Sequence, residues 1–215
     1  LLGAAKVLAG RRDELHGEVR FLFQHAEELY PGGAEEMVSA GVLDGVSMVI
    51  GAHLWLQLPV GEVSVKSGAL MAAPDTFWIA VQGLGGHAAI PQQTVDSIAV
   101  AAQVVTNLQH VVARNVDPLA AAVVSVTSIT GGTAATTNVI PGSVALAGTV
   151  RTFDEALRTQ VPALMERIVA GVCAAHGATY TFTYERGYRP VVNDERASDL
   201  LRRAIVRAVG AEMLV

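Results

Sequence analysis

The chain has 215 residues, of which 51% are hydrophobic and 16% are charged, so a disordered protein is excluded and a sizeable core is expected. Its formal net charge of −5 argues against a surface that binds nucleic acid or an anionic membrane. The single cysteine, Cys173, excludes an intramolecular disulfide and fits a reducing compartment, so we expect a cytoplasmic protein. The uncharged residues 118–150 are broken by Gly131-Gly132 and Pro141-Gly142, which predicts buried strands and a loop and no membrane-spanning helix.

The N-terminal segment predicts a helix followed by a β-α-β unit. Apolar residues at helical spacing run from Leu2 to Leu15, and an apolar strand follows over residues 18–24. Pro31-Gly32-Gly33 then begins a short helix, and a second apolar strand covers residues 47–52. Strand, helix and strand in this order form a parallel pair, so the ends of both strands should meet at one edge of a sheet.

Chemically useful side chains follow both of these strands. Glu27 and Glu28 come soon after the first strand, and His53 follows the second. A carboxylate and an imidazole are ordinary ligands of zinc or a similar ion, while a second carboxylate can accept a proton from water on the metal. His25 is a third candidate ligand. Adjacent glutamates are also common on solvated loops, and two ligands do not complete a metal site, so the residues alone leave both interpretations open.

The remainder of the chain predicts strands and helices in the order β-α-β-β-α-β. They are a strand at 75–82, a helix from Thr94, strands at 120–130 and 143–152, a helix between caps Asp154 and Gly177, and a strand at 179–184. Pro162 lies inside the second helix and should kink it. This order is that of a ferredoxin-like fold. We therefore predict an inserted α+β domain at residues 75–189, while residues 1–74 and 190–215 share a partial α/β domain.

The chain carries a set of motifs that resembles the metal-dependent amidohydrolases. These include hippurate hydrolases, N-acyl-amino-acid aminoacylases and auxin-conjugate hydrolases, within the wider aminoacylase/carboxypeptidase metallopeptidase family. The matching motifs are Phe23-Gln24-His25-Ala26-Glu27-Glu28, Pro31-Gly32-Gly33-Ala34, Gly51-Ala52-His53-Leu54-Trp55, Gly85-Gly86-His87-Ala88-Ala89-Ile90-Pro91, Asn138-Val139-Ile140-Pro141-Gly142 and Gly148-Thr149-Val150-Arg151-Thr152-Phe153. The resemblance implies a metal-binding α/β domain that carries an inserted α+β lid, through which two copies dimerise.

The resemblance also implies a role for each matched residue. Glu27 would be the general base, and Glu28 and His53 would hold divalent ions, two per site, such as Zn, Mn, Co or Ni. His87 would reach from a partner's lid and polarise the carbonyl oxygen of an N-acetyl, N-benzoyl or similar amino acid, or of a short peptide. Asn138 and Arg151 would hold the substrate's carboxylate and the oxyanion. Without the resemblance, these last three would be a loop histidine, a turn asparagine and a solvated strand-end arginine.

Two departures from the family pattern affect these expectations. His25 stands where most relatives have proline, which leaves the glutamate pair intact. The Cys-Gly-His-Asp-type motif that holds the family's first metal ligands, and the histidine that is its last ligand, are both absent from the sequence. We therefore expect an internal piece of a longer amidohydrolase, with further ligands outside it, that is inactive by itself.

Three other functions compete with this interpretation. A carboxypeptidase or dipeptidase of the same wider family would use the same residues. A non-catalytic dimerisation module would use the uncharged strand at residues 119–130 as a self-pairing edge. A dinucleotide site would use Gly83-Leu84-Gly85-Gly86-His87-Ala88, which fits the G-x-G-x-x-G/A fingerprint. Against that site, Pro91 delays the next helix, and no acid between Asp96 and Asp117 could hold a ribose.

Overall fold

The computed structural model describes residues 1–29 and 31–215, which form two units, Leu1–His53 and Leu54–Val215. The first unit contains helix α1 (Leu2–Ala9), a 3₁₀ turn (Arg12–Glu14) and helix α2 (Ala34–Ser39). Helix α2 confirms the prediction, with Glu35 and Glu36 in its first turn. Helix α1 ends earlier than predicted, because Gly10 follows Ala9 as its C-cap.

The two strands predicted in the first unit are wrong for the part of the chain that the structure describes. Residues 18–24 and 47–52 are neither helix nor strand. A strand exists only where its backbone bonds a neighbouring strand, and none of the observed strand pairs includes either segment. Their apolar side chains stay partly in solvent, since Phe23 is 56% and Ile50 is 53% exposed. The expected meeting of two parallel strand ends therefore has no sheet to support it.

The second unit is organised around a four-stranded sheet in the order β4-β6-β2-β7, with every neighbouring pair antiparallel. The strands are β2 (Ala73–Gln82), β4 (Ala122–Thr130), β6 (Ser143–Thr152) and β7 (Thr179–Glu185). Helices α3 (Ser97–Asn115) and α4 (Glu155–Ala175) lie between them in the chain. The predicted order β-α-β-β-α-β is observed, with β3 (Gly86–His87) and β5 (Val139–Ile140) added as a small pair.

The alternation of buried and exposed residues along the strands shows which face of the sheet is covered. Successive side chains of a strand point to opposite faces, and one face of β2 is buried at Phe77, Ile79 and Val81. These residues share a core with one side of β6 and with the apolar stripes of both helices. The helical members include Val100, Val104, Leu108 and Val111 of α3, and Val161, Met165, Val169 and Cys173 of α4. On the other face of β2, Trp78 is 41% exposed, so this face is open.

The helix ends refine two predictions. Asp96, and not Thr94, caps α3, because its carboxylate accepts from the N–H groups of Ile98 and Ala99 at 2.9 and 3.1 Å. The hydroxyl of Thr94 instead donates to the carbonyl of Pro91. Asp154 caps α4 as predicted. That helix ends at Ala175 with His176 as its C-cap, followed by Gly177 in the left-handed conformation, and it runs without a break through Pro162.

The segments that flank the sheet lie side by side. Strand β1 (Gly68–Met71) pairs antiparallel with β8 (Val191–Asn193), and helix α5 (Glu195–Val209) and a 3₁₀ turn (Ala211–Met213) complete the chain. Val63 forms an isolated parallel bridge with Leu214. Within the described residues, every helix is too short or too polar to cross a membrane.

Candidate functional site

Glu27 and Glu28 sit in a tight turn. Residues 25–28 form this turn, and Ala26 adopts a φ of +48°, which is uncommon for a residue with a Cβ atom. The Nε2 atom of His25 lies 3.1 Å from the Glu36 carboxylate, and the carbonyl of His25 accepts from the N–H of Gly33. A Cβ atom at position 33 would lie 2.4 Å from the His25 ring, so a larger residue there would displace that side chain. His25 is therefore occupied by helix α2, which counts against it as a third metal ligand.

The donor atoms fit a metal ion, but their number does not complete a site. Glu27 and Glu28 are exposed on the turn, and His53 is exposed at the end of the same unit. Across residues 1–29 and 31–215, the structure gathers no group of three histidine, cysteine or acidic side chains that could hold a metal. A structural zinc site uses four ligands, and a catalytic one keeps three from the protein. Glu28 and His53 can thus supply part of a ligand set.

The structure brings together two of the residues predicted in the second unit. His87 is in β3 and pairs with Val139 of β5, and the N–H of Ala88 donates to the carbonyl of Asn138 at 2.9 Å. His87 and Asn138, which are far apart in sequence, thus lie on neighbouring segments. Both are exposed.

The hydrogen bonding of His87 selects the tautomer of its neutral ring. The N–H of Ala89 donates to Nδ1 of His87 at 3.1 Å. A nitrogen that accepts a hydrogen bond carries no proton, so in the neutral ring the proton lies on Nε2. Nε2–H is therefore the donor of the neutral ring. It is the kind of group that polarises a carbonyl oxygen.

The glycine-rich loop before His87 is built for contact with other backbone segments. A Cβ atom on Gly83 would lie 2.1 Å from the carbonyl oxygen of Val95, and one on Gly85 would lie 2.8 Å from that of Ile140. Gly83 and Gly85 therefore allow the backbone segments to pack closely together. The first N–H groups of α3 are already bonded to Asp96, so they do not offer the anion site that a dinucleotide requires. Both observations count against the dinucleotide interpretation.

Arg151 lies half-buried on β6, beside Pro74 of β2. Its Nη1 atom donates to the hydroxyl of Thr149 and to the carbonyl of Val150. The Thr149 hydroxyl in turn donates to the backbone carbonyl of Asp75 at 3.0 Å. Sequence reasoning missed Thr149, although its position two residues before Arg151 places both on one face of the strand.

A buried ion pair fixes the strand to which Thr149 is bonded. Asp75 is 0% and Arg158 is 3% exposed, and Nη2 of Arg158 lies 2.6 Å from the Asp75 carboxylate. The Tyr184 hydroxyl and the Gly187 N–H also donate to this carboxylate, each at 2.9 Å. Burial alone would raise the pKa of Asp75, but these hydrogen bonds outweigh it and hold that pKa below its ordinary value. Burial, and then Asp75, raise the pKa of the Tyr184 hydroxyl.

The predicted catalytic His87 and the predicted substrate-binding Arg151 lie towards opposite ends of the sheet. The His87 loop follows Gln82, which pairs with Ser143 at the start of β6, whereas Arg151 is near its end. At about 3.4 Å per residue, Ser143 and Arg151 are roughly 27 Å apart along the strand. One copy of the chain therefore does not bring His87 and Arg151 to the same small substrate.

Comparisons with known proteins identify relatives over the whole chain. The family described as peptidase family M20/M25/M40 matches residues 1–215. An N-acyl-L-amino acid amidohydrolase of Geobacillus stearothermophilus is 61% identical over 193 residues, which are 90% of this chain and 52% of that protein. An N-acetylcysteine deacetylase of Bacillus subtilis (strain 168) is 44% identical over 216 residues, covering 99% of this chain and 56% of the relative. The chain thus spans about half the length of the curated relatives it matches.

A solved structure shares the fold. The Bacillus subtilis YXEP protein, described as a dinuclear metal-binding peptidase from the M20 family, superposes with a TM-score of 0.74 at 38% identity. The match covers 96% of this chain and 51% of that protein.

Proposed function

Because the chain belongs to peptidase family M20/M25/M40, we propose that it acts in a metal-dependent amidohydrolase that cleaves the amide bond of N-acyl amino acids. The observation that carries this proposal is its similarity to the Geobacillus amidohydrolase. The residue types are those that the proposal needs, since a glutamate pair and a histidine of ligand type are present in one unit and a histidine donor in the other. The single cysteine supports a cytoplasmic location.

The first unit would supply the proton transfer and part of the metal site. We assign Glu28 and His53 to two divalent ions, for which the dinuclear relative gives support, with zinc, manganese, cobalt or nickel as candidates. A bound ion of this kind would lower the pKa of water to about 7. Glu27 accepts the proton of the attacking water and returns it to the leaving amine, and its exposure on the turn leaves the carboxylate accessible to water.

The second unit would bind and polarise the substrate. Nε2–H of His87 donates to the carbonyl oxygen of the amide, and Asn138 on the adjoining segment stabilises the same oxygen as its charge develops. Arg151 binds the substrate's carboxylate through its guanidinium group.

We assign residues 75–189 to an inserted ferredoxin-like lid, and residues 1–74 with 190–215 to the metal-binding domain. The strand order β4-β6-β2-β7 and the two helices packed on one sheet face support the first assignment. The pairing of β1 with β8 supports only the grouping of the segments directly before and after the lid.

The lid would also join two copies in a homodimer. His87 and Arg151 lie too far apart to serve one substrate, so a second copy would supply His87 to a site that holds Arg151. Strand β4 is an uncharged sheet edge, and the groove beside it, about 400 Å³ in volume, is lined by α3 and β4. Its apolar lining residues are Ala102, Val105, Val126 and Ile129. Such an edge suits pairing with its own copy.

The proposal is tested on the protein with whatever its gene encodes on either side of residues 1–215. Turnover of N-acetyl and N-benzoyl amino acids is measured with added Zn²⁺, Mn²⁺, Co²⁺ or Ni²⁺ and after chelation. Glu27→Gln should reduce kcat by about 10² to 10⁴-fold with unchanged metal content. Glu35→Gln is the matched control, because Glu35 lies in the first turn of α2.

Other outcomes separate the competing functions. If the protein binds no metal and shows no turnover, the proposed enzymatic function is contradicted. A dimer in the same preparation would then favour the non-catalytic dimerisation module. Faster cleavage of dipeptides or C-terminal residues than of acyl amino acids would favour the peptidase of the same family. Residues 1–215 expressed alone should be inactive.

A further inference from the structure

We propose that Thr149 is a positioning residue that aims the guanidinium of Arg151 at the carboxylate of the substrate. This inference rests on the proposed function, because it concerns the recognition of an N-acyl amino acid by Arg151. It adds a residue to that recognition which does not itself touch the substrate.

The Thr149 hydroxyl has one proton, and the pairing of β2 with β6 places its acceptor nearby. It donates to the backbone carbonyl of Asp75 at 3.0 Å, so its lone pairs are left to accept. Nη1 of Arg151 donates to this same oxygen. The direction of both hydrogen bonds is therefore set by the carbonyl of Asp75.

The carbonyl of Asp75 is itself held in place. The side chain of Asp75 is completely buried and receives hydrogen bonds from Arg158, Tyr184 and Gly187. These three residues come from α4, β7 and the segment that follows β7. The acceptor of the Thr149 hydroxyl thus belongs to a residue whose side chain is held by three other parts of the fold.

Because hydrogen bonds hold one nitrogen of Arg151, a defined edge of its guanidinium group is left for the ligand. Nη1 is bonded to Thr149 and to the carbonyl of Val150. In residues 1–29 and 31–215, the structure gives Nε and Nη2 of Arg151 no hydrogen-bond partner. These two nitrogens form the side of a guanidinium that binds both oxygens of a carboxylate. Fixing Nη1 therefore orients the Nε and Nη2 edge before the substrate arrives.

The experiment compares Thr149→Val, which keeps the shape of the side chain and removes the hydroxyl, with Thr149→Ser, which keeps the hydroxyl. Thr183→Val is the matched control, since Thr183 is exposed on β7 and has no bond to Arg151. Each protein, at full gene-encoded length, is assayed with an N-acetyl amino acid and with its carboxamide analogue, which lacks the carboxylate. For the acid, Thr149→Val should raise KM about tenfold and change kcat little, which is the loss of about one hydrogen bond to a charged group.

For the carboxamide, Thr149→Val should behave as the wild type, and Thr149→Ser should restore the KM of the acid. Equal losses on acid and carboxamide, or no recovery in Thr149→Ser, would overturn the positioning role and indicate general damage to the sheet. An unchanged KM in a folded Thr149→Val protein would also overturn it.

Crystal structures separate this inference from the proposed function. If the wild type hydrolyses no acyl amino acid, the proposed function fails, whereas the position of Arg151 can still be compared. In Thr149→Val the guanidinium should leave its wild-type position, and in Thr183→Val it should stay. A guanidinium that is unmoved in Thr149→Val would contradict the inference whatever the activity.

Discussion

Replacing Arg158 with methionine removes the positive member of the buried pair with Asp75. The guanidinium donates to both carboxylate oxygens, through Nε at 2.9 Å and Nη2 at 2.6 Å, and only Tyr184 and Gly187 remain as donors after the change. Removing one partner of a buried ion pair leaves an uncompensated charge and costs about 3–5 kcal/mol. For a unit the size of Leu54–Val215, at about 2–4 °C per kcal/mol, Tm should fall by roughly 6–20 °C.

Urea and thermal unfolding, followed by circular dichroism, measure this loss. Asp75→Asn should also destabilise the protein, but the double variant should be less destabilised than the sum of the two, because it buries no unpaired charge. Arg202→Met is the control, since its pair with Asp199 is 36% and 51% exposed and should contribute at most about 1 kcal/mol. A loss in Arg158→Met no larger than in this control, or strict additivity in the double variant, would refute the reasoning.

Three further predictions concern acid, packing and the thiol. Because the pKa of Asp75 is lower in the native than in the unfolded protein, its ionised carboxylate stabilises the fold fully above the unfolded pKa of about 3.9. This stabilisation is lost as pH falls through the lower native pKa. Urea midpoints measured between pH 7 and 2 should show the decline, and in Asp75→Asn the dependence on pH should be weaker. Gly148→Ala should lower the unfolding free energy by about 1–3 kcal/mol, because its Cβ would lie 2.3 Å from the Phe77 ring. Gly171→Ala is the matched control in a helix, and with nothing within 4 Å of its Cβ it should raise the unfolding free energy by about 0.5–1 kcal/mol. Equal urea midpoints for the two variants would contradict both predictions. Cys173 is 1% exposed and burial raises its pKa, so a thiol reagent should label it only on unfolding, and rapid labelling of the native protein would count against its burial.

The predictability of each unit depended on whether its elements find partners within the chain. Alternation at residues 75–82 and 143–152 predicted β2 and β6 closely, since these strands lie side by side with one face on the core. The same kind of apolar run at residues 18–24 gave a wrong strand, because local pattern records an apolar segment and does not reveal whether a neighbour bonds its backbone.

The candidate site was predictable in its residues and less so in its arrangement. Motif resemblance named His87, Asn138 and Arg151, but only the pairing of β3 with β5 places the first two together and away from the third. The Asp75–Arg158 pair was missed, although a signal existed. Asp75 occupies the core face of β2, two residues before Phe77, and a charge at such a position requires a partner.

The side-by-side path of the chain before and after the sheet has a consequence for how this architecture can be modified. β2 and β7, the first and last strands of the four-stranded body, are hydrogen-bonded neighbours, and β1 and β8 continue the pairing beyond it. The carbonyl of Pro74 lies so close to Gly187 that a Cβ atom there would be 2.2 Å away. A turn of a few residues could join the chain across this gap. The segment from β2 to β7 can therefore be excised, exchanged or moved to another protein as one module, because its two ends lie side by side.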